Sequence, residues 1–177
     1  MYLLGTTIND TAISFESHMV HIAAKTKCEA LDTVSNLLTN AGACGEVSAI
    51  HFCVPPYSGC VRKPMQHLQD MAKHCVFIDP ERPGIEILDN LIADIYAKGE
   101  DTSYIYYIVD AELFDDIDTK MLSNHYALIQ SMCTVHCACC LVISRDTRAS
   151  DPIDIRIQID GNNNLIVKSG KLVVTAR

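Results

Sequence analysis

The segment from residue 19 to residue 31 has the layout in which proteins commonly hold a phosphate group. An apolar run, MVHIAA, is followed by a polar turn and then by residues with helical spacing. In a working loop, G-x-x-x-x-G-K-[ST], glycines let backbone N–H groups close around phosphates, the lysine reaches the terminal phosphates and the hydroxyl holds magnesium. This segment contains no glycine. It therefore keeps the frame of a nucleotide site without its chemistry.

The positions of that motif fall on residues 24 to 31. Ala24 takes the place of the first glycine, Glu29 that of the second, Ala30 that of the lysine and Leu31 that of the hydroxyl residue, with Lys25, Thr26, Lys27 and Cys28 between them. Glu29 would also put a carboxylate where polyphosphate should lie, and like charges repel strongly in a desolvated site. Lys25 and Lys27 could offer positive charge by another loop path, which leaves weak anion binding open. We expect a vestigial loop with no catalytic residue and no bound cofactor.

A carboxylate stands at the end of a second apolar run, SYIYYIVD, at residues 103 to 110. Asp110 closes this run, and Glu112 follows one place later than a D-E pair would put it. Such an aspartate can hold magnesium beside a nucleotide, but without the motif lysine and hydroxyl we expect no metal there. The simpler explanations are a helix cap or a solvated carboxylate.

The acidic stretch DAELFDDID, residues 110 to 118, suits a basic partner, although an exposed acidic loop is the commoner explanation. Leu113 and Phe114, flanked by Asp115 and Asp116, form a candidate surface for binding a protein.

Nine cysteines are many for 177 residues. Most lie within apolar runs, and without export features we expect them to stay reduced and to pack as small hydrophobes. A tight cluster comprises Cys133, His136, Cys137, Cys139 and Cys140. Structural zinc usually joins two separated ligand pairs. Core packing is therefore favoured over a metal site, and we expect no metal.

Composition narrows the classes of function. The chain is 49% hydrophobic, with no repeat or linker, which favours one domain over residues 1–177. No apolar stretch approaches the length of a membrane span, and no signal peptide is recognisable. A net charge of -8 argues against nucleic acid as a partner.

Hydrophobic periodicity predicts strands that alternate with helices. The predicted strands are MYLLG and TAISFE, then 19–24, 47–54, 74–78, 103–110 and 138–144, and finally a hairpin formed by IDIRIQID and LIVK. The first predicted helix begins after the first loop and ends near Gly42. Three further predicted helices span about 64–71, 85–95 and 119–136. Strands and helices in this order imply a three-layer α/β fold with a mostly parallel sheet, an N-terminal strand pair and a C-terminal β-hairpin.

The order of these parts resembles the FtsK/SpoIIIE group of P-loop ATPases, of RecA/FtsK-like fold. More narrowly, it is similar to the tandem ATPase modules of the type VII secretion motor, the EssC/EccC type. The resemblance rests on the leading strand pair, the segment from MVHIAA to KTKCEALDTVSNLL, the strands ending in VFIDP and in Asp110, and LVISR. Residues 24–31 and Asp110 with Glu112 then correspond to the two nucleotide-binding motifs of the family, the Walker A loop and the Walker B strand, in vestigial form.

The resemblance implies a non-hydrolysing domain that lies in the cytoplasm, tethered to membrane-anchored parts of a motor. Its expected partners are the C-terminal signal helix of a secretion substrate, held in an apolar groove, and adjacent ATPase modules of the motor. The alternatives are an active nucleotide hydrolase with an atypical loop and an unrelated cytoplasmic α/β regulatory protein.

Overall fold

The computed structural model describes residues 2–6, 12–15, 19–42, 49–55, 62–98, 105–145, 155–159, 165–169 and 173–176. The strands in these ranges are β1 (Tyr2–Thr6), β2 (Ala12–Phe15), β3 (Met19–Ala24), β4 (Ala49–Cys53), β5 (His74–Phe77), β6 (Ile105–Asp110), β7 (Ala138–Arg145), β8 (Ile155–Ile159), β9 (Leu165–Ser169) and β10 (Val173–Ala176). The α-helices are α1 (Lys27–Gly42), α2 (Arg62–Met71), α3 (Gly84–Ala97) and α4 (Thr119–Val135).

Eight of these strands form one sheet in the order β10-β9-β8-β3-β7-β6-β4-β5. Strands β3, β7, β6, β4 and β5 run parallel, and β8 pairs in parallel with β3. Strands β8, β9 and β10 pair with one another in antiparallel fashion, and β1 and β2 form a separate antiparallel pair beside α1. The predicted α/β fold, with its N-terminal strand pair and C-terminal hairpin, is confirmed. Strand β10 adds one strand to that hairpin.

Helices cover both faces of the sheet. From β3 the chain moves through α1 and α2 toward β5 at one end of the sheet, and it then returns through α3 and α4 to β6 and β7. Because parallel crossovers are right-handed, the two directions of travel put the two helix pairs on opposite faces. Two separate apolar clusters, one with α1 and the other with α3 and α4, agree with this arrangement. The molecule therefore has three layers.

Successive residues of β7 enter different clusters. Cys139 and Leu141 pack in the α1 cluster, whereas Cys140 and Val142 pack in the cluster of α3 and α4. A strand that is buried on both faces needs apolar residues at every position. The continuous apolar run of β7 follows from its place near the middle of the sheet.

Cys28 differs from the expectation for the cysteines, because it is disulfide-bonded. The other described cysteines are free. The expectation of a fully reduced chain was therefore wrong at Cys28, although free thiols with buried side chains are found at several other positions, among them Cys53 and Cys133.

None of the helices in the described ranges combines the length and the apolar character that crossing a membrane requires.

Candidate functional site

Three strands bring the candidate residues to one edge of the sheet. Strand β7 lies between β3 and β6 and pairs in parallel with both, so the carboxyl ends of all three strands meet. The order of the strands reverses between β3 and β7, because the chain leaves β3 toward β4 on one side and leaves β7 toward β8 on the other. Ligands of open α/β sheets bind at such a switch point, outside the carboxyl ends of the strands. This edge is the candidate site.

Helix α1 begins earlier than the phosphate-loop alignment requires. Only Lys25 and Thr26 separate the end of β3 from the first helical residue, Lys27. Ala30 and Leu31, which the alignment placed at the lysine and hydroxyl positions, have fully buried side chains in the α1 cluster. The predicted loop is thus replaced by a two-residue connection that leads straight into the helix.

A capping box explains this early start. The backbone N–H of Glu29 donates to Thr26 Oγ1 at 3.2 Å, and the N–H of Thr26 donates to Glu29 Oε2 at 3.1 Å. The pattern T-x-x-E satisfies two backbone donors at the helix start. Glu29 was expected at the place of the polyphosphate. Its carboxylate instead closes the helix terminus at which a phosphate-binding loop receives its ligand.

The remaining residues of the vestigial loop have different surroundings. Ala24 is fully buried at the end of β3, whereas the side chains of Lys25 and Thr26 are exposed. Cys28 packs partly buried against the α1 cluster.

Lys27 turns inward to the ends of the strands. Its Nζ lies 2.7 Å from Asp110 Oδ2 and 2.5 Å from Glu112 Oε2, and 7% of its side chain is exposed. The side chain of Asp110 has no exposed surface. The lysine of the phosphate-loop motif is absent from position 30, but the early helix start places a different lysine, Lys27, in the first turn of α1, facing β6 and Asp110.

Asp110 has a second function, as the cap of the short 3-10 helix Ala111–Phe114. Its Oδ1 accepts the backbone N–H of Glu112 at 2.9 Å. Burial raises the pKa of the Asp110 carboxyl, while its hydrogen bonds to Lys27 and to the Glu112 N–H act in the opposite direction. Asp110 is therefore held in place by a helix turn and by a buried cation together.

Arg145 extends the cluster across β7. Its Nε lies 3.3 Å from Glu112 Oε1, and 63% of its side chain is exposed. Sequence reasoning missed this residue. The available signal was that Arg145 directly follows the predicted strand 138–144, at the same edge as Asp110.

These four side chains balance one another in charge. Lys27 and Arg145 each contact a carboxylate, and Glu112 contacts both cations. Cys53 lies in the same region, but burial, and then the charges of Asp110 and Asp79, raise its pKa to about 12. A thiol with so high a pKa is a poor nucleophile at neutral pH. The geometry is that of an ion-pair cluster that is buried at Lys27 and Asp110 and reaches the surface at Arg145.

The predicted protein-binding surface at residues 113–116 is only partly exposed. Phe114 is 1% exposed and packs edge-on against Tyr126, with ring centroids 6.2 Å apart. Leu113 is partly buried against the cluster of α3 and α4. Phe114 was wrongly assigned to this surface, because the 3-10 helix turns its ring into the core. Asp115 and Asp116 have exposed side chains.

Three of the five residues in the cysteine cluster pack into the core, whereas His136 and Cys137 are only partly buried. Cys133, Cys139 and Cys140 are buried, and burial raises the pKa of each, that of Cys133 to about 12. In the part of the chain that the structure describes, no three His, Cys, Asp or Glu side chains are arranged to hold a metal ion. The absence of bound metal stays a prediction.

The sequence matches no protein-family model and no curated protein. Among solved structures, 226 chains match the fold. One of them, described as an ATPase, aligns with a TM-score of 0.60 and 9% sequence identity, over 98% of this chain and 86% of that chain. The chain thus has an ATPase-like α/β fold. A likeness at this identity is one of fold, and many functions share a fold, so the function must be argued from the site.

Proposed function

We propose that this chain is a non-hydrolysing, ATPase-like domain that acts by binding protein in a type VII secretion motor. The observation that carries the proposal is the closed start of α1. The Thr26–Glu29 capping box takes up helix donors, and Lys27 is bound to Asp110 and Glu112. The motor itself is inferred from the order of sequence segments that the chain shares with FtsK/SpoIIIE-like modules.

The site opposes a polyphosphate in two ways. Phosphates bind at helix N-termini because free N–H groups and the helix dipole face them, but here the Glu29 carboxylate accepts one of those N–H groups. The charges of Asp110 and Glu112 add repulsion, and Lys27 could reach a phosphate only by leaving a fully buried carboxylate.

A protein ligand has a suitable surface on α4. Met121, Leu128 and Val135 are exposed by 47%, 48% and 71%, and they recur every seven residues. This spacing sets side chains along one side of a helix, where a second helix can pack. The whole of α4 contains no acidic residue and one lysine, Lys120. We refer to Met121, Leu128 and Val135 as the α4 stripe.

The expected ligand is an amphipathic helix, which fits the signal helix of a secretion substrate. Acidic residues lie next to the Met121 end of the α4 stripe. Asp118 caps α4, and Asp115 and Asp116 precede it with exposed side chains. A ligand helix with apolar residues at i, i+3, i+4 and i+7 and a basic terminus would match both features. Adjacent motor modules are the second class of partner, and the domain would lie on the cytoplasmic side of the motor.

Binding of a labelled peptide tests the proposal. The probe is the C-terminal helix of a secreted protein encoded next to this chain, with a scrambled peptide as control, and a dissociation constant in the micromolar range or tighter is expected. Leu128→Lys should weaken binding at least about tenfold, because it places a charge in an apolar contact. Gln66→Lys, an exposed position on α2, adds the same charge on the other face of the sheet and should leave binding unchanged.

The acidic end can be tested through the kinetics of binding. Replacing Asp115 and Asp116 by lysine should slow association mainly at low salt, because exposed charges are screened beyond about 10 Å at 0.1 M ionic strength. Absence of binding at high micromolar concentration of both peptide and protein would remove the main support for a binding function.

A nucleotide hydrolase is the second candidate, and one observation favours it. A working site also has a lysine at the start of the helix and a carboxylate at the end of a nearby strand, where they serve the phosphates and the magnesium ion, and Lys27 and Asp110 occupy comparable places. Under our proposal, millimolar ATP with magnesium gives no rise in melting temperature. A bound ligand at a hundred times its dissociation constant would add about 2.7 kcal/mol. Stabilisation that Lys27→Met abolishes, or phosphate release above background, would favour the hydrolase.

A further inference from the structure

Strand β5 ends the sheet. Among the residues that the structure describes, β4 is the strand that pairs with it, and the sheet order closes at β5. The N–H of Ile78, just past the strand, donates to the carbonyl of Phe52 at 2.7 Å. Backbone groups of successive strand residues point to opposite edges. Those of His74 and Val76 therefore face β4, and those of Cys75 and Phe77 lie on the outer edge.

The side chains of this edge are unusually apolar for an exposed strand. Val76 is 43% exposed and Phe77 is 58% exposed. Phe77 stacks on Phe52 of β4, with ring centroids 5.3 Å apart, so its ring is supported from within the sheet. Native proteins usually protect edge strands by keeping them short or with lysine, proline or a bulge, because an open apolar edge pairs with other strands. Strand β5 is short, but none of its four residues, HCVF, is a lysine or a proline.

We infer that β5 pairs with β5 of a second copy of this chain, in antiparallel orientation about a two-fold axis at Val76. In this register Val76 faces Val76, and Cys75 of each copy lies opposite Phe77 of the other. Both residues of the latter pair present their backbone groups outward, as an antiparallel hydrogen-bonded pair requires. Each copy uses the same surface, which is the form of the commonest dimers.

Charge complementarity selects this register. Lys73 and Asp79 flank the strand with exposed side chains, and the two-fold axis at Val76 sets Lys73 of each copy opposite Asp79 of the other. The dimer thus places two opposite-charge pairs around an apolar centre. A shift of two residues in one direction places Lys73 opposite Phe77. A shift in the other direction places Asp79 opposite Cys75 and brings Lys73 level with Glu81, which lies in the turn that begins at Pro80, outside the strand. Both shifts lose the match between Lys73 and Asp79, and cross-strand opposite charges stabilise a pair of strands.

The dimer does not depend on the proposed function. Helix α4 contacts β7, β3 and α3, whereas β5 lies at the end of the sheet, so pairing through β5 leaves the α4 stripe accessible. An interface built on one short edge strand is small, and small interfaces give weak, transient association. We expect a monomer–dimer equilibrium in the micromolar range.

Sedimentation equilibrium over roughly 1 to 300 µM protein measures this equilibrium directly. Lys73→Asp and Asp79→Lys should each weaken dimerisation at least about tenfold, because each turns two attractions into two repulsions. The double variant Lys73→Asp/Asp79→Lys should restore it. Lys120→Asp makes the same change of charge on α4 and should leave dimerisation unchanged.

Val76→Lys should abolish the dimer, because two lysines would meet at the axis. Val76 is half-exposed, and thermal melting of the variant checks that it is folded. A wild-type chain that stays monomeric over the whole range overturns the inference. So does a dimer that survives Val76→Lys, or a double charge swap that fails to restore association.

Discussion

Replacing Lys27 by methionine keeps the apolar stem of the side chain and removes its charge. In the wild-type chain the Lys27 ammonium lies 2.7 Å from Asp110 Oδ2, and the Asp110 side chain has no exposed surface. Of the two hydrogen bonds that the Asp110 carboxylate accepts from Lys27 and from the Glu112 N–H, the second remains after the substitution. Glu112 is 36% exposed and can be solvated by water. The consequence of the substitution therefore falls mainly on Asp110.

The expected loss of stability is large for one substitution. Removing one partner of a buried ion pair costs about 3–5 kcal/mol, because the other charge stays buried without compensation. Two effects reduce this cost. The Glu112 N–H still donates to Asp110, and the Asp110 carboxyl can bind a proton, for which each unit of pKa shift corresponds to about 1.4 kcal/mol. We expect a loss of about 3 kcal/mol in the free energy of unfolding at pH 7.

The loss should depend on pH with a definite sign. Burial raises the folded-state pKa of Asp110 above the ordinary 3.8, so the native state binds this proton more readily than the unfolded state does. Above pH 3.8, stability then falls with rising pH until the folded-state pKa is passed. Lys27 lowers that pKa, so its removal extends the window upward. The deficit of Lys27→Met relative to wild type should grow from about pH 4 toward pH 7.

Urea unfolding at several pH values measures this deficit. Lys25→Met is the matched control, because Lys25 lies two positions earlier with an exposed side chain, and it should change stability by less than about 0.5 kcal/mol. Lys27→Met/Asp110→Asn removes both charges and should recover more than half of the loss, since replacing a whole buried pair is often nearly neutral. If Lys27→Met is as stable as Lys25→Met, the buried pair does not have the geometry on which the argument rests.

Three further predictions concern other contacts. Thr26→Ala should cost about 1 kcal/mol in urea unfolding and Thr26→Ser little, because a helix cap is lost only in the first; equal stability of the two would contradict the capping box. Burial raises the pKa of Cys53 and that of Cys133 to about 12, so at pH 8 iodoacetamide should alkylate these two thiols in the native chain much more slowly than the less buried Cys137. Mass spectrometry measures the three rates, and equal rates would contradict the burial of Cys53 and Cys133. Burial lowers the pKa of His51 from 6.5 in spite of Asp94, so the unfolded state binds this proton more readily than the native state does. The free energy of unfolding should therefore fall as the pH drops below about 6.5. His51→Gln should lose less stability than wild type between pH 7 and pH 5, and equal slopes of unfolding free energy against pH would refute this.

Much of the fold was accessible from periodicity. The apolar run that ends at Asp110 predicted a strand covered on both faces, and β6 lies between β7 and β4. In α1 the spacing of Ala30, Leu31 and Val34 predicted the face that packs in the core. These predictions succeeded because burial on one or two sides determines which positions must be apolar.

The start of α1 was misplaced because a motif was imposed on it. The capping signal T-x-x-E was present at Thr26 and Glu29, and it marks a helix start without reference to nucleotide binding. The contact of Lys27 with Asp110 spans 83 positions in the sequence. The two residues meet because β7, the last of the three strands in the chain, pairs with both β3 and β6 and so holds the ends of those strands near each other. Strand order of this kind is not encoded in the pattern of any single segment.

The burial of Phe114 could not be read from its neighbours. Residues 111–114 form one turn of 3-10 helix, which is too short to show a period, and the five acidic residues in the stretch 110–118 suggested an exposed loop around it. The structure turns Phe114 toward Tyr126 while Asp115 and Asp116 stay outside. A single apolar residue within a charged segment is informative only when the surrounding tertiary contacts are known.

The ion pair between Lys27 and Asp110 also sets how strongly an anion could bind at this edge. A phosphate that draws Lys27 away leaves Asp110 charged and fully buried, which is the state that Lys27→Met creates. The free energy of that state, about 3 kcal/mol, must be supplied by the phosphate itself, so its dissociation constant is raised by roughly two orders of magnitude. Arg145 cannot compensate fully, because its contact with Glu112 must be broken as well. We therefore expect this ATPase-like domain to bind nucleotide weakly even though it has a lysine at the carboxyl ends of the strands, since the carboxylates that hold this lysine compete with the ligand for it.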